Sequence, residues 1–187
     1  MCIRDSILSN REDLAKTLNF GVFPVTQGGP LVHVIAAKAI AFAEAMKPGF
    51  YDYQRNVINN AKKFVSEFNK NGIKTTSADT CNHMLMLDLS ELNVTGKDIE
   101  ESLCNANITV NKNSIPNDPR GPRLTSGIRI GTPAITTRGM GSSEIIQISE
   151  WISSIIKDHK NETLISKVKE NVLALCANFP IYKDTSY

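Results

Sequence analysis

Long apolar runs are missing from this chain. No stretch reaches the roughly eighteen consecutive apolar residues that a spanning helix needs, which excludes a membrane span of that kind. An excess of either charge is missing as well. The 21 Lys and Arg stand against 19 Asp and Glu for a formal +2, and no basic block is long enough to leave a nucleic-acid footprint. Cys2, Cys81, Cys104 and Cys176 are scattered without a CxxC pair. That spacing excludes a disulfide scaffold and a zinc finger, and it reads as the reduced thiols of a cytoplasmic protein. The three histidines are equally dispersed. Only His83, near Cys81 and Asp88, has company of the ligand type, and spacing this ordinary leaves no metal site expected. Residues 1–6 lack both the apolar core of a secretory signal and the length of an organelle peptide, and they read as a scar. No internal repeat is visible.

What is present is an ordinary globular composition: 187 residues, 41% hydrophobic, enough for one sizeable domain or for a small domain plus the tail of another. The stretch from Leu124 to Gly139 holds the most chemistry. Ile128 and Ile130 alternate with Arg129, so a short strand buries two β-branched chains and presents one guanidinium on its other face. Gly127 and Gly131 flank it, permitting close approach of a backbone or a small ligand. A planar fork on a strand suits a carboxylate gripped by two parallel hydrogen bonds. Spacing alone fits a solvated edge-strand arginine equally well.

Taken in order, Ile7-Leu8 resembles the end of a strand, and Ser9 with Glu12 predicts a capping-box start for a helix of about ten residues. Residues 20–26 read as extended or irregular. Gln27-Gly28-Gly29-Pro30 stops the chain and starts a helix over Leu31 to Met46 that is apolar nearly all round, which asks for burial on more than one side. Lys47-Pro48-Gly49 predicts a domain boundary, separating residues 7–48 from 49–187. The next helix carries Val57, Ala61, Phe64, Val65 and Phe68 on its buried face, with Arg55, Lys62, Lys63, Glu67 and Lys70 solvated, and ends at Asn71-Gly72 with glycine left-handed. Residues 73–77 and 84–89 read as strands. Thr95 caps a helix with Asp98 in the third position, and residues 107–111 are expected to pair with the sheet. Residues 112–126 form a long polar loop braced by Pro116, Pro119 and Pro122, and such order in a long loop argues for function. Residues 132–141 read as a second loop. Two further helices follow, one with a stripe of Ile145, Ile148, Trp151, Ile152, Ile155 and Ile156, in which Trp151 serves packing. A small α/β domain from about residue 49 onward is the result, ending in a short tail.

Several of these segments, in this order, make the chain resemble serine hydroxymethyltransferase, a fold-type I pyridoxal-phosphate enzyme. The resemblance rests on Val22-Phe23-Pro24, Gln27 through Leu31, His33 through Ala39, Asn82-His83 near Asp88, Asn111-Lys112-Asn113 with Ile115-Pro116, and Thr125 through Gly139. It implies that residues 7–48 are the end of the large domain with its linking helix and that residues 49–187 are the small C-terminal α/β domain. It further implies reversible transfer of the serine hydroxymethyl carbon to tetrahydrofolate, with pyridoxal 5'-phosphate as cofactor and a homodimer or homotetramer as the assembly. By resemblance, Arg129 holds the substrate carboxylate. Gly28 and Gly29 approach the cofactor phosphate of the neighbouring subunit, Asn113 contacts the pterin ring, and Gly121, Pro122 and Arg123 form the folate loop. Arg138 is assigned to structural pairing.

The sequence departs from the family pattern at Cys81, where aspartate is usual, and at Arg123, where an aromatic or aliphatic residue is common. The family's Schiff-base lysine lies in a Thr-His-Lys motif expected just before Ile7, and Lys16, Lys38 and Lys112 are out of register for that role. The chain therefore reads as a fragment without a catalytic residue, inactive by itself. Two alternatives stand beside this reading: a non-catalytic folate-binding or interaction module, and a fragment of a pyridoxal-phosphate-dependent threonine aldolase.

Overall fold

The structure, a computed structural model, describes residues 7–181, and the expectations for residues 1–6 and for the terminal tail lie outside these. Between Lys47 and Pro48 the chain divides into two compact units.

The first unit begins with α1 (Glu12–Phe20). The expected capping box does not form. Arg11 occupies the cap position without a side-chain bond, and the Ser9 hydroxyl accepts from Arg11 N at 3.1 Å, a local turn that competes with the helix for the same oxygen. Helical structure of π type then continues over Gly21–Thr26, interrupted by the extended backbone of Phe23, where an irregular stretch was expected. Pro30 and Leu31 lead into α2 (Val32–Ala45). No residue of α2 is buried, although its all-round apolar sequence asks for burial on more than one side. A unit of two short helices and one turn has too little apolar surface to cover a helix on several sides, so Val32, Ile35, Ile40 and Phe42 stay exposed.

The second unit opens with α3 (Pro48–Lys70), whose buried face is Val57, Ala61, Phe64, Val65 and Phe68. Glu67 also lies on that side, only 7% exposed, where a solvated residue was expected. Lys63 and Lys70 neutralise it, their Nζ atoms 2.8 and 2.7 Å from Oε1, and these bonds, Lys63 first, hold its carboxyl below the usual range. Gly72 ends the helix at φ +77°, the left-handed position that favours glycine. Residues 73–77 contribute only one bridge, Thr75 opposite Leu87, in place of a full strand.

The sheet has three antiparallel strands in the order β1 (Met84–Asp88), β3 (Gly127–Gly131), β2 (Asn111–Asn113), with β3 central. The second strand starts where residues 107–111 were expected to end, because pairing with β3 sets its limits and Asn107, at φ +60°, turns the chain beforehand. Leu85, Leu87, Ile128 and Ile130 point from one face into the core, beside α3 and α4 (Gly96–Asn105). Each such side chain contributes about 1.5–3 kcal/mol on burial. Thr95 and Asp98 form a reciprocal capping box at the start of α4. α5 (Pro133–Thr137) occupies part of the expected second loop, since Pro133 is preorganised for a first helical turn. It is pinned by Asn60 Nδ2, which donates to Thr136 Oγ1 at 2.9 Å. The last two helices, α6 (Ser142–Lys157) and α7 (Glu162–Asn178), complete the core with Ile145, Ile152, Ile155, Ile156, Val168 and Val172. Thr132 closes β3: its hydroxyl donates to the Val57 carbonyl at 2.8 Å, and its N–H to that of His83 at 2.9 Å. Among the described residues, no helix is long and apolar enough to cross a membrane.

Candidate functional site

The face of the sheet turned away from the core carries the polar candidate residues. Residues directly opposite in an antiparallel ladder share a face. Arg129 stands opposite Met86 on one side and Asn111 on the other, so these three side chains rise together while Ile128 and Ile130 go under. Arg129 is exposed, and its Nη2 donates to Asn111 Oδ1 at 3.3 Å. That single bond steadies one arm of the guanidinium and leaves the rest of the fork open among the described residues. Asn113 lies on the same face, its Nδ2 2.8 Å from the Ser114 carbonyl and 3.3 Å from Met86 Sδ. Lys112, between the two asparagines, turns the other way. Its N–H and Nζ donate to Glu100 of α4 at 2.9 and 2.8 Å, so its charge is committed to packing. Burial raises the Glu100 pKa, and those two bonds outweigh it, leaving the carboxyl below its usual range.

The flanking glycines have different reasons to be glycine. A Cβ at Gly127 would lie 2.6 Å from the Asn113 carbonyl and 2.7 Å from Ile115 Cγ2. The close approach there is by the chain's own backbone. At Gly131 the nearest atoms are 3.8 and 3.9 Å away, ordinary contact, so nothing in the structure demands glycine.

Loop 114–126 is ordered by one carboxylate. Asp118 Oδ2 accepts the N–H of Ile115 at 3.2 Å and of Ser126 at 2.9 Å, while Oδ1 accepts the N–H of Arg120 at 2.9 Å and the Ser126 hydroxyl at 2.6 Å. Burial alone would raise this acid, but the donors prevail and its pKa stands at about 2. Arg120 reaches across the loop, Nη1 to Ser126 Oγ at 2.9 Å and Nη2 to the Leu92 carbonyl at 3.0 Å. Thr125, β-branched yet at φ +58°, is buried with its hydroxyl unpartnered. Its carbonyl and that of Leu124 accept the first amides of α4, from Gly96 and Lys97 at 3.0 Å each. Gly121, Pro122 and Arg123 sit exposed on the turn that this framework supports, with Gly121 O accepting from Leu124 N and Thr125 N at 3.0 Å each.

Other sequence candidates fall elsewhere. Gly28 and Gly29 belong to the first unit, where both are exposed and a Cβ on either would meet no atom within 4 Å. Cys81 and His83 are exposed, and His83 acts through its backbone carbonyl. Arg138 donates to the Phe179 carbonyl at 2.8 Å, tying α5 to the end of α7. No group of three or more His, Cys, Asp or Glu among the described residues is arranged to hold a metal. Sequence reasoning missed Asp118 and Ser126, since a carboxylate that bonds mainly to backbone amides leaves no periodic signal. An aspartate inside a proline-braced loop was the only available hint.

A face with one open guanidinium beside two carboxamides offers hydrogen-bond donors and acceptors and a fixed positive charge, and no group suited to proton transfer at neutral pH. The chain matches the family described as serine hydroxymethyltransferase over residues 4–152. It is 52% identical over 170 residues to a serine hydroxymethyltransferase of Nitrosococcus oceani, a match covering 91% of this chain and 41% of that protein. A serine hydroxymethyltransferase of Shewanella pealeana is 52% identical over 173 residues, covering 92% of this chain and 41% of the relative. The chain thus spans about two fifths of the length of the curated relatives it matches, 41% in both cases. On this match, the chain belongs to the serine hydroxymethyltransferase family.

Proposed function

We propose that this chain supplies the amino-acid carboxylate site and the folate-facing loop of an enzyme that transfers the serine hydroxymethyl carbon to tetrahydrofolate, giving glycine. The observation that carries the proposal is Arg129, exposed on the open sheet face with Asn111 holding one arm. In this reading the remaining N–H groups of Arg129 grip the acid group of serine or glycine and orient the reacting carbon. Asn113 supplies a carboxamide to the pterin ring, and Gly121, Pro122 and Arg123 border the folate. Arg123 introduces a cation at a place where many relatives are apolar, which favours a folate bearing its glutamate carboxylates.

In this reading Gly28 and Gly29 of the first unit approach the cofactor phosphate of a neighbouring subunit. Gly28 and Gly29 leave open space beside the backbone just before α2, so their amides are accessible to an anion without a Cβ in the way. Pyridoxal 5'-phosphate, when bound, supplies the electron sink for chemistry at the amino acid's α carbon. The chain contains no Thr-His-Lys sequence, and Lys112 is engaged by Glu100. The residues assigned here therefore bind and orient; the Schiff-base amine comes from outside them. Fold-type I architecture, a cytoplasmic location and a homodimer or homotetramer complete the proposal.

A chimera tests it. Replacing the matching segment of the Nitrosococcus oceani relative with this chain should give a protein that converts serine in the presence of tetrahydrofolate. Arg129→Ala in that chimera should lower kcat/KM for serine about 100-fold, the scale for stranding a carboxylate without its paired donors. Normal serine affinity and turnover after that substitution would refute the assignment.

A further inference from the structure

Loop 114–126 and strand β3 are joined by a device that has no place in the substrate contacts. We propose that Asp118 is a positioning residue, whose carboxylate fixes Ser126 and with it the height at which β3 presents Arg129 and the loop presents Gly121 to Arg123.

The geometry leaves Ser126 little freedom. Its N–H and hydroxyl both donate to Asp118, its hydroxyl accepts from Arg120 Nη1, and its carbonyl accepts from Leu89 N at 2.8 Å. Only Gly127 and Ile128 separate it from Arg129. Because strand side chains alternate between faces, a slip of one residue at Ser126 would turn Arg129 into the core and Ile128 out of it. The same carboxylate holds Ile115 and Arg120, so both arms of the loop converge on one group. Thr125 stays at φ +58° beside Ser126, a conformation that costs a β-branched residue energy and persists only where neighbours over-determine it. Bonds from Gly96 N, Lys97 N and Leu89 N to the carbonyls of Thr125, Leu124 and Ser126 supply the rest of that restraint. The mechanical role stands on these distances; its consequence for ligand binding rests on the functional reading above.

Asp118→Asn tests the role without changing size. An amide nitrogen in place of Oδ1 would face the N–H of Arg120, and in place of Oδ2 those of Ile115 and Ser126, so at least one backbone donor loses its acceptor either way. Ser126→Ala is a milder second variant, and Ile152→Val is a control that loosens the core away from the loop. On the intact chain, amide hydrogen exchange would be read across residues 114–126, together with the side-chain NMR signals of Arg129 Nε–H and Asn113 NH₂. The expected result is faster exchange and displaced Arg129 and Asn113 signals in Asp118→Asn and Ser126→Ala, with Ile152→Val unchanged. Wild-type signals in Asp118→Asn, or an equal disturbance in Ile152→Val, overturn the proposal.

Titration of the same proteins with 5-formyltetrahydrofolate separates this claim from the functional one. Binding to the wild type that weakens about tenfold in Asp118→Asn and stays constant in Ile152→Val supports both. Binding that is unchanged in Asp118→Asn overturns the positioning role. A wild-type chain that binds no folate counts against the folate reading, and the exchange and NMR data then decide the positioning role by themselves.

Discussion

Acid is the most direct probe of the Asp118 carboxylate. Its pKa falls from 3.8 to about 2 on folding because the donors from Ser126, Arg120 and Ile115 outweigh the effect of burial. A folded-state pKa below the unfolded value means that the ionised carboxylate favours the native state. The stabilisation is complete above the unfolded value and is lost as pH falls through the folded one. At about 1.4 kcal/mol per unit, the depression is worth about 2.5 kcal/mol at neutral pH, and solvent screening of the half-buried carboxyl leaves about 2 kcal/mol. The assay is urea unfolding followed by Trp151, the single tryptophan, which packs against the core from α6. Wild type and Asp118→Asn would be compared at pH 6, 4, 3 and 2.5. Other depressed carboxyls, including Asp98 beside Thr95 and Glu67 beside Lys63, titrate in both proteins and cancel in the difference. The difference should be about 2 kcal/mol at pH 6 and should shrink below pH 4 as wild-type Asp118 takes up its proton. Two curves that stay parallel from pH 6 to 2.5 would refute the electrostatic account and leave only a shape effect of the amide.

Three further outcomes follow from packing and from the assigned site. Gly96→Ala should destabilise the second unit by about 2 kcal/mol in the same unfolding assay, because the added Cβ meets Thr125 Oγ1 and lies 2.6 Å from the Gly127 carbonyl, an overpacking cost larger than the helix propensity gained. The purified chain should self-associate through the exposed apolar residues of α2, and Ile35→Glu with Phe42→Glu should shift sedimentation velocity toward monomer; an unchanged distribution would place the association elsewhere. Pyridoxal 5'-phosphate added to the purified chain should give no absorbance band that moves on adding glycine, since no Thr-His-Lys lysine occurs in the sequence. A band that responds to glycine would show that another lysine takes the role.

Local rules carried the sequence reading where the interactions themselves are local. The Thr95–Asp98 box, the left-handed Gly72 and the alternation that buries Ile128 and Ile130 around exposed Arg129 each depend on residues a few positions apart, and each stands in the structure as expected. The failures are of two kinds, distant partners and competing local ones. The limits of β2 are set by partners in β3 more than ten residues later in the chain, and Glu67 is buried because two lysines on its own helix converge on it. Ser9 and Glu12 satisfied the capping spacing, yet the Ser9 oxygen was taken by Arg11 first. Of the site, the orientation of Arg129 was legible because alternation dictates it. The hub at Asp118 was not, because its partners are mostly amides that every sequence possesses.

Thr132 gives the arginine strand a second anchor. With its hydroxyl anchored on α3 at Val57 and its amide on the His83 carbonyl, the far end of the strand is bolted to the long helix just as its near end is bolted through Ser126. The backbone beneath the guanidinium is consequently held at both ends, so the base from which the side chain projects moves with helix and sheet together, as a stiff lever rather than a swinging flap. Substitutions at Thr132 would then blur where the tip arrives, while leaving the guanidinium itself unchanged.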